Sequence, residues 1–166
     1  MKKTKQTGLM VMIAVTILSV AVMLSALLLT GKEQKAEFVP PPFDPAAQTG
    51  TPVVPDDLAY GELYQDGMAY RFSICGMVTA QDSNAIVYLT NPAENDVWLK
   101  VRLYSEIGEL LGESGLIRPG EYVEGVALST IPQSGTPIKM KIMGYVPESY
   151  HSAGAVVLNT EMYTAD

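Results

Sequence analysis

The stretch VWLKVRLY, residues 97–104, alternates without a break: Val97, Leu99, Val101 and Leu103 fall on one side, Trp98, Lys100, Arg102 and Tyr104 on the other. A period of two marks a half-buried strand, because successive Cβ atoms leave a pleated chain on opposite faces. The rhythm continues in both directions. Upstream, AYRFSICGMV (69–78) sets Tyr70, Phe72, Ile74 and Val78 on one face, and AIVYLTNP (85–92) is a short apolar run closed by Asn91-Pro92. Downstream, LLGESGLI (110–117) reads as a short strand, and EYVEGVAL (121–128) puts Tyr122, Val126 and Leu128 on one side. PIKMKIMGYV (137–146) turns Ile138, Met140 and Ile142 inward and Lys139, Lys141, Met143 and Tyr145 outward. GAVVLNTEMYT (154–164) aligns Val156, Leu158 and Met162.

Turn chemistry separates these runs. Pro119-Gly120 suits the two central positions of a type II turn, where proline presets φ and glycine accepts a positive one. Gly108 and Asn91-Pro92 mark two more. About seven strands at 8–12-residue spacing, with no helical stretch among them, predict an all-β fold. The economical architecture is an immunoglobulin-like antiparallel β-sandwich over residues 58–166.

The N-terminus follows other rules. Residues 9–30 carry no charge, and Lys2, Lys3 and Lys5 precede them. As a helix, this run of about 22 residues spans about 33 Å, enough for the ~30 Å hydrocarbon core. Its only small-x-small site, Ser19–Ala21, lies mid-run, which argues against a cleaved signal peptide. No cysteine follows, so a lipoprotein anchor is excluded. The expected organisation is a cytoplasmic N-terminus (1–8), a transmembrane helix (9–30) in contact with the lipid bilayer, and an extracytoplasmic remainder, as the lysine bias dictates. Residues 31–57 contain six of the eleven prolines, three of them consecutive at Pro40–Pro42. They read as an extended linker reaching roughly 80 Å at ~3.1 Å per residue.

From Leu58 onward six basic residues face thirteen acidic ones, a net charge of −7. That sign lacks the footprint of a nucleic-acid binder. Cys75 is the only cysteine, so no internal disulfide can form. The inventory for chemistry is equally thin. His151 is the single histidine, and Ser149 and Ser152 beside it carry no nucleophile-elbow motif. One His and one Cys do not make a zinc site. Glu94, Asn95 and Asp96 offer oxygen ligands at a spacing that matches no calcium loop. No glycine-rich phosphate cradle opens a helix. The expectation is a protein without catalytic activity, cofactor or metal.

One constellation stands out. In an immunoglobulin-like topology, strands 97–104 and 137–146 are neighbours. Trp98, Lys100, Arg102, Tyr104, Lys139, Lys141, Met143 and Tyr145 then share an outward sheet face. Aromatic rings among Arg and Lys make up the composition of interaction hot spots. This face is the expected binding surface.

The segment YLTNPAENDVWLKVRLYSEIGELLGESGLIRPGEYVEGVAL, residues 88–128, resembles small membrane-anchored surface proteins of Gram-positive bacteria. The resemblance extends over roughly residues 84–146 and lies in an asparagine after a strand, an alternating strand, a D/E-x-G turn and PGE opening the next strand. It implies a tethered immunoglobulin-like sandwich and brings no catalytic residues. The functional expectation is a membrane-tethered module that docks to an envelope protein, an envelope polymer or a membrane complex. The alternatives are a proteinase-inhibitor-like domain using the loop Ile131–Pro137, and an accessory subunit of a secretion or conjugation apparatus.

Overall fold

The computed structural model describes residues 12, 14–25, 38–64 and 66–164. They belong to two compact units, Met1–Val39 and Pro40–Asp166.

In the first unit residues 14–25 are helical. Apolar side chains are exposed all round it, Val15, Ile17, Leu18, Val22 and Leu24 among them. Its hydroxyls turn back onto the helix itself, Thr16 Oγ1 donating to Met12 O at 2.7 Å and Ser25 Oγ to Val22 O at 2.9 Å. Among the described residues no helix is long and apolar enough to cross a membrane. The expected span 9–30 extends beyond the described helical residues on both sides. Its residues 9–11, 13 and 26–30, like the expected cytoplasmic 1–8 and linker residues 31–37, lie outside the described residues.

The second unit is all-β. Its strands are β1 Gln48–Thr49, β2 Tyr60–Leu63, β3 Phe72–Cys75, β4 Val78–Gln81, β5 Asn84–Thr90, β6 Trp98–Ser105, β7 Leu110–Glu113, β8 Glu121–Ala127, β9 Thr136–Tyr145 and β10 Ser152–Thr164. The alternation read in the sequence is realised in β6, where Leu99, Val101 and Leu103 are fully buried. It is realised again in β9, through Ile138, Met140 and Ile142. Phe72, Ile74, Val78 and Met162 join them in one core cluster.

The strands form a single curled mixed sheet in the order β1-β8-β5-β4-β10-β9-β6-β7, with β2 and β3 branching off β5. Two separate sheets were the expectation. They are joined because β4 hydrogen-bonds along both edges, antiparallel to β5 (Thr79↔Ile86) and parallel to β10 (Met162↔Val78). At the far ends Gly112 of β7 bridges Leu128 just after β8, so the sheet curls into a half-barrel.

Strand β8 departs from the sequence reading. Val123 and Val126 both point into the core, and Tyr122 pairs outward with Thr90. The register slips by one residue between Ile86 and Leu89 of β5, where Tyr88 takes φ 46°. A bulge of this kind re-aims everything beyond it. The Pro119-Gly120 turn follows the sequence: Gly120 has φ 79°, and Glu121 N–H donates to Arg118 O at 3.0 Å.

The segment read as linker divides at Pro40. From there the chain is stitched to the sheet as a strap. Leu116 N–H donates to Pro42 O and Asp44 N–H to Leu116 O, both at 2.9 Å, and Phe43 bridges Leu116 in parallel. Asp44 Oδ2 accepts from Gly115 N–H at 2.7 Å. Farther along, Gln48 and Thr49 pair with Tyr122 and Glu121. Gly115 is what lets the strap come so close, since a Cβ there would meet the backbone of Phe43 and Asp44.

Candidate interaction surface

Antiparallel pairing of β6 with β9 runs Trp98↔Tyr145, Lys100↔Met143, Arg102↔Lys141 and Tyr104↔Lys139. Every residue of the expected face therefore lies on one side of two neighbouring strands, as their alternation requires. Strand β10 extends this side beyond β9, with Val157 opposite Lys141 and Asn159 opposite Lys139. Strand β7 extends it beyond β6, with Glu113 opposite Arg102.

The face is not uniformly open. Phe43 of the strap meets Trp98 edge-on, with ring centroids 4.9 Å apart. Tyr150, from the loop between β9 and β10, packs against the same indole at 5.2 Å. The Arg118 guanidinium sits 3.6 Å above the Phe43 ring. Trp98 is thus half-buried inside an aromatic cluster of its own. Leu116, beneath the strap, is fully buried yet outside the main core cluster.

Lys100 departs furthest from expectation, being only 3% exposed, and Met143 beside it is buried too. The Lys100 ammonium is held by Glu113 at 3.0 Å, and the other oxygen of the same carboxylate takes Arg102 Nε at 2.7 Å. Partial burial pushes the Glu113 carboxyl up. The hydrogen bonds and charges of Lys100 and Arg102 outweigh that and hold it below its ordinary value. For Arg102, desolvation pulls downward, and the bonds to Glu113 and Tyr104 more than reverse it. One carboxylate serves two cations, so the cluster keeps a net positive charge.

What stays accessible is the far end of the face. Lys139 is exposed, Lys141 and Tyr104 are partly so, and Val157 is 52% exposed. Lys139 Nζ donates to Glu106 O at 3.2 Å, and neither Lys139 nor Lys141 is in a salt bridge among the described residues. Four groups that shape the face went unnoticed in the sequence: Phe43, Glu113, Arg118 and Tyr150. Only Glu113 had a local signal, since it lies in the strand that follows β6.

The remaining candidates have plain positions. Cys75 is fully buried, and desolvation raises its thiol to about 11, far from a reactive thiolate. His151 lies exposed in the β9–β10 loop, where its carbonyl accepts from Val146 N–H. Asn91 and Asn95 form a structural clasp. Buried Asn91 donates to Val97 O and Ile117 O, and Asn95 holds both backbone polar groups of Arg71. The loop Ile131–Pro137 is tied back by Thr136 Oγ1 donating to Gln133 O at 2.6 Å. No protein-family model, curated protein or solved structure matches the chain.

Proposed function

We propose that the chain is a membrane-tethered, extracytoplasmic interaction module without catalytic activity, docking to a cell-envelope component that presents acidic groups. The observation that carries this reading is the β6–β9 register, which lines up Arg102 with Lys141 and Tyr104 with Lys139 in an otherwise acidic domain. Local positive charge beside a partly exposed tyrosine and the exposed Val157 suits specific, oriented docking. The uncharged run 9–30, flanked by N-terminal lysines, supports a single span with the N-terminus in the cytoplasm.

The immunoglobulin-like reading survives only as an order of layers within the one curled sheet. On that reading β4, β5 and β8 would stand for one layer and β10, β9, β6 and β7 for the other, with β4 at the seam where the sheet runs on unbroken. Stitching from Pro42 shortens the tether. About a dozen residues separate Thr30 from the strap, a reach of roughly 40 Å at most.

The test is a photo-crosslinker placed at Val157 of the full-length protein in its own cells, with and without the pair Lys139→Glu and Lys141→Glu. A discrete crosslinked partner that vanishes with charge reversal, while thermal melting is unchanged, supports the reading. A partner retained at full yield after reversal overturns it. Recovery of the protein in the medium, shortened at its N-terminus, overturns the tether.

A further inference from the structure

A second site lies on the other half of the sheet, independent of the basic face. A hollow of about 350 Å3 opens between the end of the strap (Gly50, Thr51), the β2–β3 hairpin (Tyr60, Ser73) and residues 90–94. That volume falls within the ~300–1,000 Å3 range of small-molecule sites. Ser73 and Thr90 are cross-strand partners, so their hydroxyls share its floor. The bulge at Tyr88, two residues earlier, sets how Thr90 is presented.

Thr90 Oγ1 lies 2.7 Å from the Tyr60 phenol, where either oxygen can donate, and 3.3 Å from Tyr88 O. The phenol keeps hydrogen-bonding capacity toward the hollow in either arrangement. Ser73, Thr51 and Glu94 line the same hollow, and their side-chain oxygens have no hydrogen-bond partner among the described residues. No Lys or Arg lines it. The free groups are thus a carboxylate, a phenol oxygen and two hydroxyls, set beside a half-buried tyrosine ring.

This set selects by chemistry. An anion meets Glu94 with no cation to offset it. A purely apolar ligand would strand the hydroxyl floor, at the desolvation cost of unpaired polar groups. A ligand rich in hydroxyl donors, with a flat C–H face to lay on the Tyr60 ring, satisfies every free group. We infer that this hollow binds a neutral saccharide, with Glu94 and Ser73 holding ring hydroxyls and Tyr60 forming the wall.

The experiment uses the full-length protein in lipid nanodiscs, free of glycosidic detergent, titrated by calorimetry. The probes are oligomers of neutral hexoses, oligomers of N-acetylated hexosamines, spermidine and free lysine. Binding of at least one oligosaccharide with a Kd below about 10 mM is expected. It should weaken at least tenfold in the double variant Ser73→Ala, Glu94→Gln, at an unchanged melting temperature. The pair Lys139→Glu, Lys141→Glu should leave it unaltered, which separates this site from the docking face. No saccharide binding, equal binding in the double variant, or tighter capture of spermidine or lysine than of any sugar would overturn the assignment.

Discussion

Gly115→Ala isolates the strap. The new Cβ would lie 2.5 Å from Asp44 Cα and 2.7 Å from the Phe43 carbonyl carbon. These are backbone atoms, which cannot swing aside as a side-chain tip can, so the strap must lift. Backbone strain at the site itself plays no part, since Gly115 does not have a positive φ. Lifting breaks the two hydrogen bonds between the strap backbone and Leu116, worth ~1 kcal/mol each, and the bond from Gly115 N–H to Asp44, worth ~2. The edge-on contact of Phe43 with Trp98 adds ~1 kcal/mol, and Arg118 over the Phe43 ring adds ~0.5–1. Against this gross loss of about 6 kcal/mol, freeing some four or five residues returns roughly 1 kcal/mol apiece in backbone entropy. The net is about 1–2 kcal/mol. The strap therefore comes loose while the sheet stays folded.

Trp98 is the only tryptophan, so its fluorescence reads the event directly. In Gly115→Ala the emission should shift to the red as Phe43 leaves the indole, and chymotrypsin should cut after Phe43 in otherwise intact protein. The melting temperature should fall by roughly 4–8 °C, at about 4 °C per kcal/mol for a domain of this size. Gly61→Ala is the control: nothing lies within 4 Å of its Cβ position, so it should be close to neutral. Unchanged emission with Phe43 still protected in Gly115→Ala would refute the claim that the strap seals Trp98.

Three further outcomes can be measured. The Glu113 carboxyl is held below its ordinary value of 4.5, so its contribution is complete above that pH and is lost as pH falls through the lowered folded-state value. Acid denaturation followed below pH 4.5 should accordingly be shallower in Glu113→Gln, which should also be less stable at neutrality because Lys100 loses its partner; an identical acid limb would contradict this. Cys75 should react with a thiol-specific chromogenic disulfide at pH 8 only after unfolding, since the native thiol is buried and raised to about 11; rapid native labelling would contradict its burial. Asn91→Ala should cost ~2–4 kcal/mol in chemical denaturation, because Val97 O and Ile117 O lose a buried donor; a loss under ~1 kcal/mol would mean that the clasp is dispensable.

What could be read in the sequence follows from what is local. Strict alternation fixed the inward faces of β6 and β9 and, through their register, the composition of the basic side. Tyr122 was misread because the two-residue period breaks inside β8, between Val123 and Val126, where the register against β5 slips. The strap was misread for a different reason. Pro40, Pro41, Pro42 and Pro45 lack N–H groups, so the segment carries no strand signature, yet it needs only the Pro42 carbonyl and the polar groups of Asp44 to attach. The capping of Trp98 by Phe43 and Tyr150 joins three distant segments, which no short window reports. The hollow around Ser73 was invisible for the same reason, as it depends on where the strap ends.

Charge ties the docking proposal to its surroundings. From Pro40 onward six basic residues stand against sixteen acidic ones, a net charge of −10. At long range an acidic partner is therefore repelled, and it feels the stripe of Arg102, Lys139 and Lys141 only within about a Debye length, ~8 Å at physiological ionic strength. Association should then be slow but oriented, since only one approach brings the partner's acidic groups onto the stripe. Moderate salt screens the long-range repulsion before it weakens the close contact, where Glu113 already neutralises part of the charge. Crosslinking yield at Val157 should accordingly pass through a maximum as ionic strength rises from ~10 mM, where the Debye length is ~30 Å, to ~1 M, where it is ~3 Å. A yield that falls steadily from the lowest salt would instead mean simple attraction between opposite net charges, and hence a basic partner seated elsewhere on the acidic surface.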